Sequence, residues 1–263
     1  MKKLMLFLFI ASFSVVFSQT QNPTVVKMDS IRFDGDDFLG YDSFGFYYTI
    51  KNNVFSKVNK SETLEYKNIS LGKITKVDLQ NPLNIVLFYE NFNTVVTLDN
   101  QLNETQKVNF SENPIPIVAT GIGIASQNQL WVYNSMNQQL GLYDYLSATY
   151  KTISVPFTET IKYYYSDFNL FYWIDNKNNW HTCDLFGKIK SKGTIPDFDS
   201  IIIINEKQFM YSKNAILILQ DIEKDKKTEI EISEKTFKKF YYKDQILSIF
   251  TSTGITNYKI TIP

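Results

Sequence analysis

Short apolar runs alternate with polar positions along this chain, and they recur as a phrase of about 40 residues repeated six times. Each phrase reads as a short strand, an aromatic-rich strand, a tight polar turn, a strand ending near Asp or Asn, and a further strand. The second strand sets the register through an apolar residue at Tyr47, Leu87, Trp131, Phe171, Phe209 and Leu247, at intervals of 40, 44, 40, 38 and 38. Two positions later stand Thr49, Tyr89, Tyr133, Trp173, Tyr211 and Ile249. Side chains two apart share a face of a strand, so both members of each pair are expected to point at one core.

Polar links follow the second strand: Lys51-Asn52-Asn53, Glu90-Asn91-Phe92-Asn93, Asn134-Ser135-Met136-Asn137, Asp175 to Asn179 and Ser212-Lys213-Asn214. Asn, Asp and Ser tolerate left-handed backbone angles and bond locally to the main chain, which predicts hairpins. The third strand commonly runs into a second acidic turn, at Asp99, Asp144, Asp184 or Asp221. A fourth, more polar strand closes the unit, as in residues 105–110 and 188–192, and its polarity fits an exposed outer edge.

A period of 20 to 50 residues with four strands per unit is the mark of a propeller. The fold class is therefore all-β, a six-bladed β-propeller of four-stranded antiparallel blades. The last unit, from Phe237 onward, holds only three strands. The strand-like segment Thr24 to Ile31 is expected to supply the fourth, closing the ring and removing a free edge.

Residues 1–18 read as a signal peptide: Lys2 and Lys3, an apolar run from Leu4 to Phe17, then a cleavage site before Gln19. The run is too short to span a bilayer comfortably. Residues 19–263 are expected to form one propeller domain, exported and soluble in the periplasm or outside the cell. No cysteine follows the run to carry a lipid, and no later stretch suits a membrane span, so no direct membrane insertion is expected. Without Lys2 and Lys3 the 27 basic residues fall to 25, against 27 acidic, a net charge of −2. No nucleic acid is expected as partner on that balance. The composition and the Ser18/Gln19 junction resemble exported proteins of Bacteroidota.

Chemistry is sparse. The single histidine, His181, rules out a multi-histidine zinc site. It cannot activate the single cysteine, Cys183, because positions two apart on a strand lie about 7 Å apart. His181 is expected to be a packed structural residue, and Cys183 a small buried hydrophobe that forms no internal disulfide. Gly121 and Gly123 in ATGIGIAS lack the third glycine and the helix of a nucleotide loop, and fit an innermost strand. The candidate metal ligands are Asp34, Asp36 and Asp37 in FDGDDF, carboxylates on a glycine-containing turn that suit calcium. No other cofactor is expected. The mixed-charge run Asp221 to Lys227 reads as a solvated hairpin and a rim contact.

Residues 84–108 and 129–153 carry a resemblance to the six-bladed propeller superfamily that includes NHL-repeat and TolB-like proteins. It covers nearly all of the chain after residue 18 at the level of pattern, although the flanking glycines and prolines of NHL repeats are mostly missing. Propeller enzymes such as metal-dependent lactonases place carboxylates around one end of the axial channel. The innermost strands here read ITKVDL, IVATGIGIAS, IKYYYSDF, SIIIINE and FKKFYYKD, mostly apolar or aromatic, which predicts a filled channel. The expected function is a non-catalytic interaction or scaffold module that meets another protein of the bacterial cell envelope. The alternatives are a divalent-metal hydrolase of lactonase type at the channel mouth and a glycan-binding module. A glycan platform predicts open aromatic faces, whereas a packing role predicts that Trp131, Trp173 and Trp180 are buried.

Overall fold

The computed structural model describes residues 23–33 and 35–262, and the segment read as a signal peptide lies outside them. Six four-stranded antiparallel sheets form the blades of a propeller. Blade 1 is β2 (Asp37–Tyr41), β3 (Tyr47–Lys51), β4 (Val54–Val58) and β5 (Thr63–Tyr66), and blade 2 is β6 (Lys76–Asp78), β7 (Ile85–Tyr89), β8 (Thr94–Leu98) and β9 (Glu104–Asn109). Blade 3 is β10 (Ala119–Ala125), β11 (Gln129–Asn134), β12 (Gln139–Asp144) and β13 (Thr149–Thr152). Blade 4 is β14 (Ile161–Ser166), β15 (Leu170–Asp175), β16 (Asn179–Asp184) and β17 (Ile189–Thr194). Blade 5 is β18 (Ser200–Ile203), β19 (Gln208–Lys213), β20 (Ile216–Asp221) and β21 (Lys226–Glu229). Blade 6 is β22 (Lys239–Lys243), β23 (Ile246–Phe250) and β24 (Gly254–Thr261), with β1 (Thr24–Arg32) antiparallel to β24 as its outer strand.

The core is divided into six layers, one at each blade boundary. Tyr48 and Phe55 of blade 1 pack on Leu87 and Tyr89 of blade 2, and Val86 and Phe88 pack on Leu130 and Val132 of blade 3. Trp131 and Tyr133 meet Phe171 and Trp173 of blade 4, whose Tyr172 and Ile174 meet Phe209 and Tyr211 of blade 5. Met210 meets Leu247 and Ile249 of blade 6. The seam between blades 6 and 1 is the thinnest, built on Phe38, Phe250 and Ile255 with Phe33, Tyr41, Tyr47 and Tyr241 around them.

The members of an expected pair share one layer, as Leu87 and Tyr89 do, while every residue of β7 is buried and its other side serves a second layer. One expectation changes. In blade 3 the pair expected to match Leu87 and Tyr89 is displaced by one position. Trp131 and Tyr133 face the following blade, and Leu130 and Val132 face the preceding one. A strand apolar on both sides carries no period-two signal to fix its register.

The asparagine turns join neighbouring blades. Asn53, at φ 62, accepts from Ile74 N at 2.8 Å and donates to Gly72 O at 2.6 Å, so the β3–β4 turn holds the link into blade 2. Asn93, at φ 49, repeats the clasp on blade 3 through Ala119 N at 2.9 Å and Ile117 O at 2.7 Å. Asn93→Ala should lower stability by about 2–3 kcal/mol, as two backbone groups lose their partner and Ala tolerates the left-handed backbone less well than Asn. A urea midpoint unchanged from the parent protein would contradict this. On the opposite face, Asp99, Asp144, Asp184 and Asp221 each accept two backbone N–H groups of their own turns, as their residue type foretells.

Candidate functional site: the axial channel

The six first strands surround the axis, and the channel between them is not filled. It holds a cavity of ≈ 1530 Å³ running from Asp36, Lys73 and Asp199, where the inner strands begin, to Gln80 and Ser166, where they end. The inner strands are mostly apolar, as expected, but their few polar side chains are gathered at this cavity.

Asp78 is the best-held group. Its Oδ2 accepts from Ile124 N at 2.8 Å and its Oδ1 from Gln80 N at 2.9 Å, while the Gln80 amide reaches Oδ2 at 3.3 Å and also donates to Ser166 O. Blades 2 and 4 thus touch across blade 3. Gly123 permits it: a Cβ there would lie 1.9 Å from Ser166 Oγ and 3.3 Å from Asp78 Oδ2. Burial raises the Asp78 carboxyl above the usual range, opposed by these N–H groups and by Lys76.

Two residues earlier on the same strand, Lys76 places its Nζ 4.7 Å above the Tyr164 ring. Burial lowers its pKa; Asp78 opposes this and Lys239 adds to it. Lys76 is half-buried in the wall of the channel. Tyr163, Tyr164, Tyr165 and Tyr241 complete the wall, and burial lifts all four phenols, Tyr165 to about 12. Gly40, at φ 125, leaves room for the Tyr241 ring, since a Cβ there would lie 2.2 Å from Cζ.

Two of the three residues singled out as metal ligands are described, each with its own partner. Asp36 Oδ2 accepts from Asn52 N at 2.7 Å, Asp37 faces Lys239 Nζ at 3.0 Å through both oxygens, and Asp34 lies outside the described residues. Among the described residues no three His, Cys, Asp or Glu side chains are grouped to hold a metal ion. Also among them, no helix is long and apolar enough to cross a membrane.

His181 packs within blade 4, with Nε2 3.3 Å from Asp175 Oδ2 and its ring stacked on Trp173 at 5.0 Å. The stack continues through Phe157 to Tyr133 and so crosses from blade 4 to blade 3. Trp131, Trp173 and Trp180 are buried. Cys183 is buried among Leu142, Phe171 and Trp173, and burial, aided by Asp184, pushes its thiol up to about 12. A thiol reagent at mildly alkaline pH should therefore leave the native protein unlabelled and modify one thiol after unfolding. Labelling of the native protein at the rate of free cysteine would overturn that placement.

Sequence reasoning missed Lys76, Asp78 and Gln80. ITKVDLQ is short and alternating, and nothing local in it says that its polar positions look into a channel. No protein-family model matches the sequence, and no curated protein matches it. Among solved structures the chain is similar to virginiamycin B lyase from Staphylococcus aureus, with TM-score 0.57 and 13% identity over 86% of this chain and 80% of that one. It is also similar to the propeller domain of Cps50 (Swd1) from Myceliophteria thermophila, with TM-score 0.56 and 10% identity over 90% and 100% of the two chains. The extracellular domain of a one-component system from B. thetaiotaomicron matches with TM-score 0.51 and 12% identity over 90% of this chain and 40% of that one. At such identities the likeness shows the propeller fold alone.

Proposed function

We propose that this protein is an exported, non-catalytic β-propeller that acts as an interaction or scaffold module, meeting a protein of the bacterial cell envelope through one face of the disc. The fold carries no activity by itself, so the reading rests on this chain's own surface.

The observation behind it is a set of exposed apolar side chains on the face where the inner strands begin. Ile69, Phe92, Ile115, Val118, Met136 and Val155 lie in consecutive turns and links of blades 1 to 3. These loops adjoin one another. Phe92 lies against Gly72, Asn93 binds Ile117, and Asn134 donates to Pro116 O and accepts from Val118 N. Scattered exposed apolar residues are ordinary, whereas a joined set on one rim marks a contact surface. The opposite face also carries apolar tips, Phe44, Leu83, Leu146, Phe168 and Phe186, spread over four blades.

The hydrolase alternative needs channel carboxylates free to converge on a metal. Asp36, Asp37 and Asp78 have the separate partners given above, and Asp199 accepts from Asn214 N at 2.7 Å and pairs with Lys213. The glycan alternative draws no support from the tryptophans, which serve the blade layers.

A photo-crosslinking residue at Met136 and another at Phe186 separate the two faces. In intact cells of the native host, the Met136 probe should capture a discrete envelope protein and the Phe186 probe should not. Capture only from Phe186, or a lone monomer from both positions, would overturn the assignment.

A further inference from the structure

We propose that the axial cavity binds a small organic molecule carrying one carboxylate, with Lys76 as its counter-ion and the hydroxyls of Tyr165 and Tyr241 as further donors. This ligand site is separate from the rim and does not depend on the interaction reading.

Lys76 is the starting point because its ammonium lies in the channel wall with no hydrogen-bonded acceptor among the described residues. At the end where the inner strands begin, Lys239 has Asp37 at 3.0 Å and Lys162 has Asp197 at 3.2 Å. Among the described residues, no carboxylate oxygen lies within 4.0 Å of Lys76 Nζ and no acceptor takes a hydrogen bond from it. Its polar neighbour on the strand, Asp78, is committed to Ile124 N and Gln80 N. A partly buried ammonium with no hydrogen-bonded carboxylate offers a bound carboxylate a charge-assisted contact.

The walls supply the rest of a binding site. Tyr165 and Tyr241 line the cavity, and their hydroxyls make no hydrogen bond to described residues. A phenol above its usual pKa stays protonated at neutral pH and donates. The lining holds five lysines and four aspartates, so charged side chains of both signs border the cavity. The remaining lining is largely aromatic and aliphatic, which favours a ligand with a planar or apolar body. The cavity, ≈ 1530 Å³, exceeds the roughly 300–1,000 Å³ typical of small-molecule sites.

The test is equilibrium binding to protein purified after expression of the full-length chain, with 2-naphthoate and D-glucuronate as carboxylates and 2-naphthamide as the neutral control. One carboxylate should bind saturably at one site. Lys76→Gln should weaken it at least about tenfold, the scale of a charge-assisted hydrogen bond, while Lys76→Arg retains binding. The amide should bind at least about tenfold more weakly than the naphthoate if naphthoate is the ligand taken. Circular dichroism checks that each variant is folded. If Lys76→Gln does not fold, Tyr241→Phe removes one donor alone and should weaken binding about threefold. Saturable binding by neither carboxylate, equal binding of naphthoate and naphthamide, or unaltered affinity in a folded Lys76→Gln or Tyr241→Phe protein would overturn the proposal.

Discussion

Deleting Thr24–Arg32 should abolish the soluble monomer. The segment pairs with β24 over eight positions, from Thr24 opposite Thr261 to Arg32 opposite Gly254. At roughly 0.5–1.5 kcal/mol for each ladder hydrogen bond, the direct loss is about 5 kcal/mol or more, comparable with the whole stability of a marginal domain. Little of this is apolar burial, since most side chains of β1 are exposed. Its importance lies in what it covers: β24 is buried from Gly254 to Tyr258, and without β1 it becomes an open edge.

Side chains tie the same join, through Asn257 to Asp29 at 2.7 Å and Ser30 to Thr256 at 3.3 Å. The neighbouring seam between blades 6 and 1 is the thinnest of the ring, so it offers little compensation. Size-exclusion chromatography and thermal melts should show aggregated or unfolded chain. Gly254→Val should act in the same direction by a different route, because a Cβ there would lie 2.3 Å from Ile31 O on β1. A deletion variant that elutes as a monomer and melts near the parent temperature would show that the ring holds without β1.

Trp180→Ala should be among the most damaging point substitutions in the blade layers, costing about 3–5 kcal/mol. Its side chain is fully buried between blades 4 and 5, edge to face with Phe209 at 5.6 Å. The more discriminating comparison is with phenylalanine. The Trp180 indole N–H has no hydrogen-bond partner among the described residues, so Trp180→Phe removes an unsatisfied donor along with some volume and should cost about 1 kcal/mol or less.

Trp131 is equally buried, but its Nε1 donates to Asp167 O at 2.8 Å across the boundary of blades 3 and 4. Trp131→Phe strands that carbonyl and should cost about 2–3 kcal/mol. Chemical denaturation of the two Phe variants side by side decides the point. Equal losses would mean that volume, and not the indole hydrogen bond, sets the cost at both sites.

Much of this architecture is legible in the chain because it is written in short-range chemistry. Asn53 and Asn93 announce turns through their tolerance of positive φ, and Asp99, Asp144, Asp184 and Asp221 do so through bonds to their own next residues. Counting those turns gives strand order and blade number. The polarity of β17 marks it as outer, and the small residues of β10 mark it as inner. Even the burial of Cys183 and the three tryptophans follows from composition on such a scaffold.

What the sequence by itself determined, then, is the repeating sheet and the order of its strands, since alternation and turn preference act within a few residues. Which side of β11 meets which neighbour, and what the channel contains, were decided only when the ring closed. Trp131 and Leu130 are both apolar, so their layers are chosen by the blades stacked on either side. Lys76, Asp78, Ser166 and Tyr241 come from three blades and up to 165 positions apart in a 263-residue chain, and no local rule joins them. Packing around an axis does: it takes residues unremarkable on their own strands and faces them across one channel, where neighbouring charges are screened less than in open water.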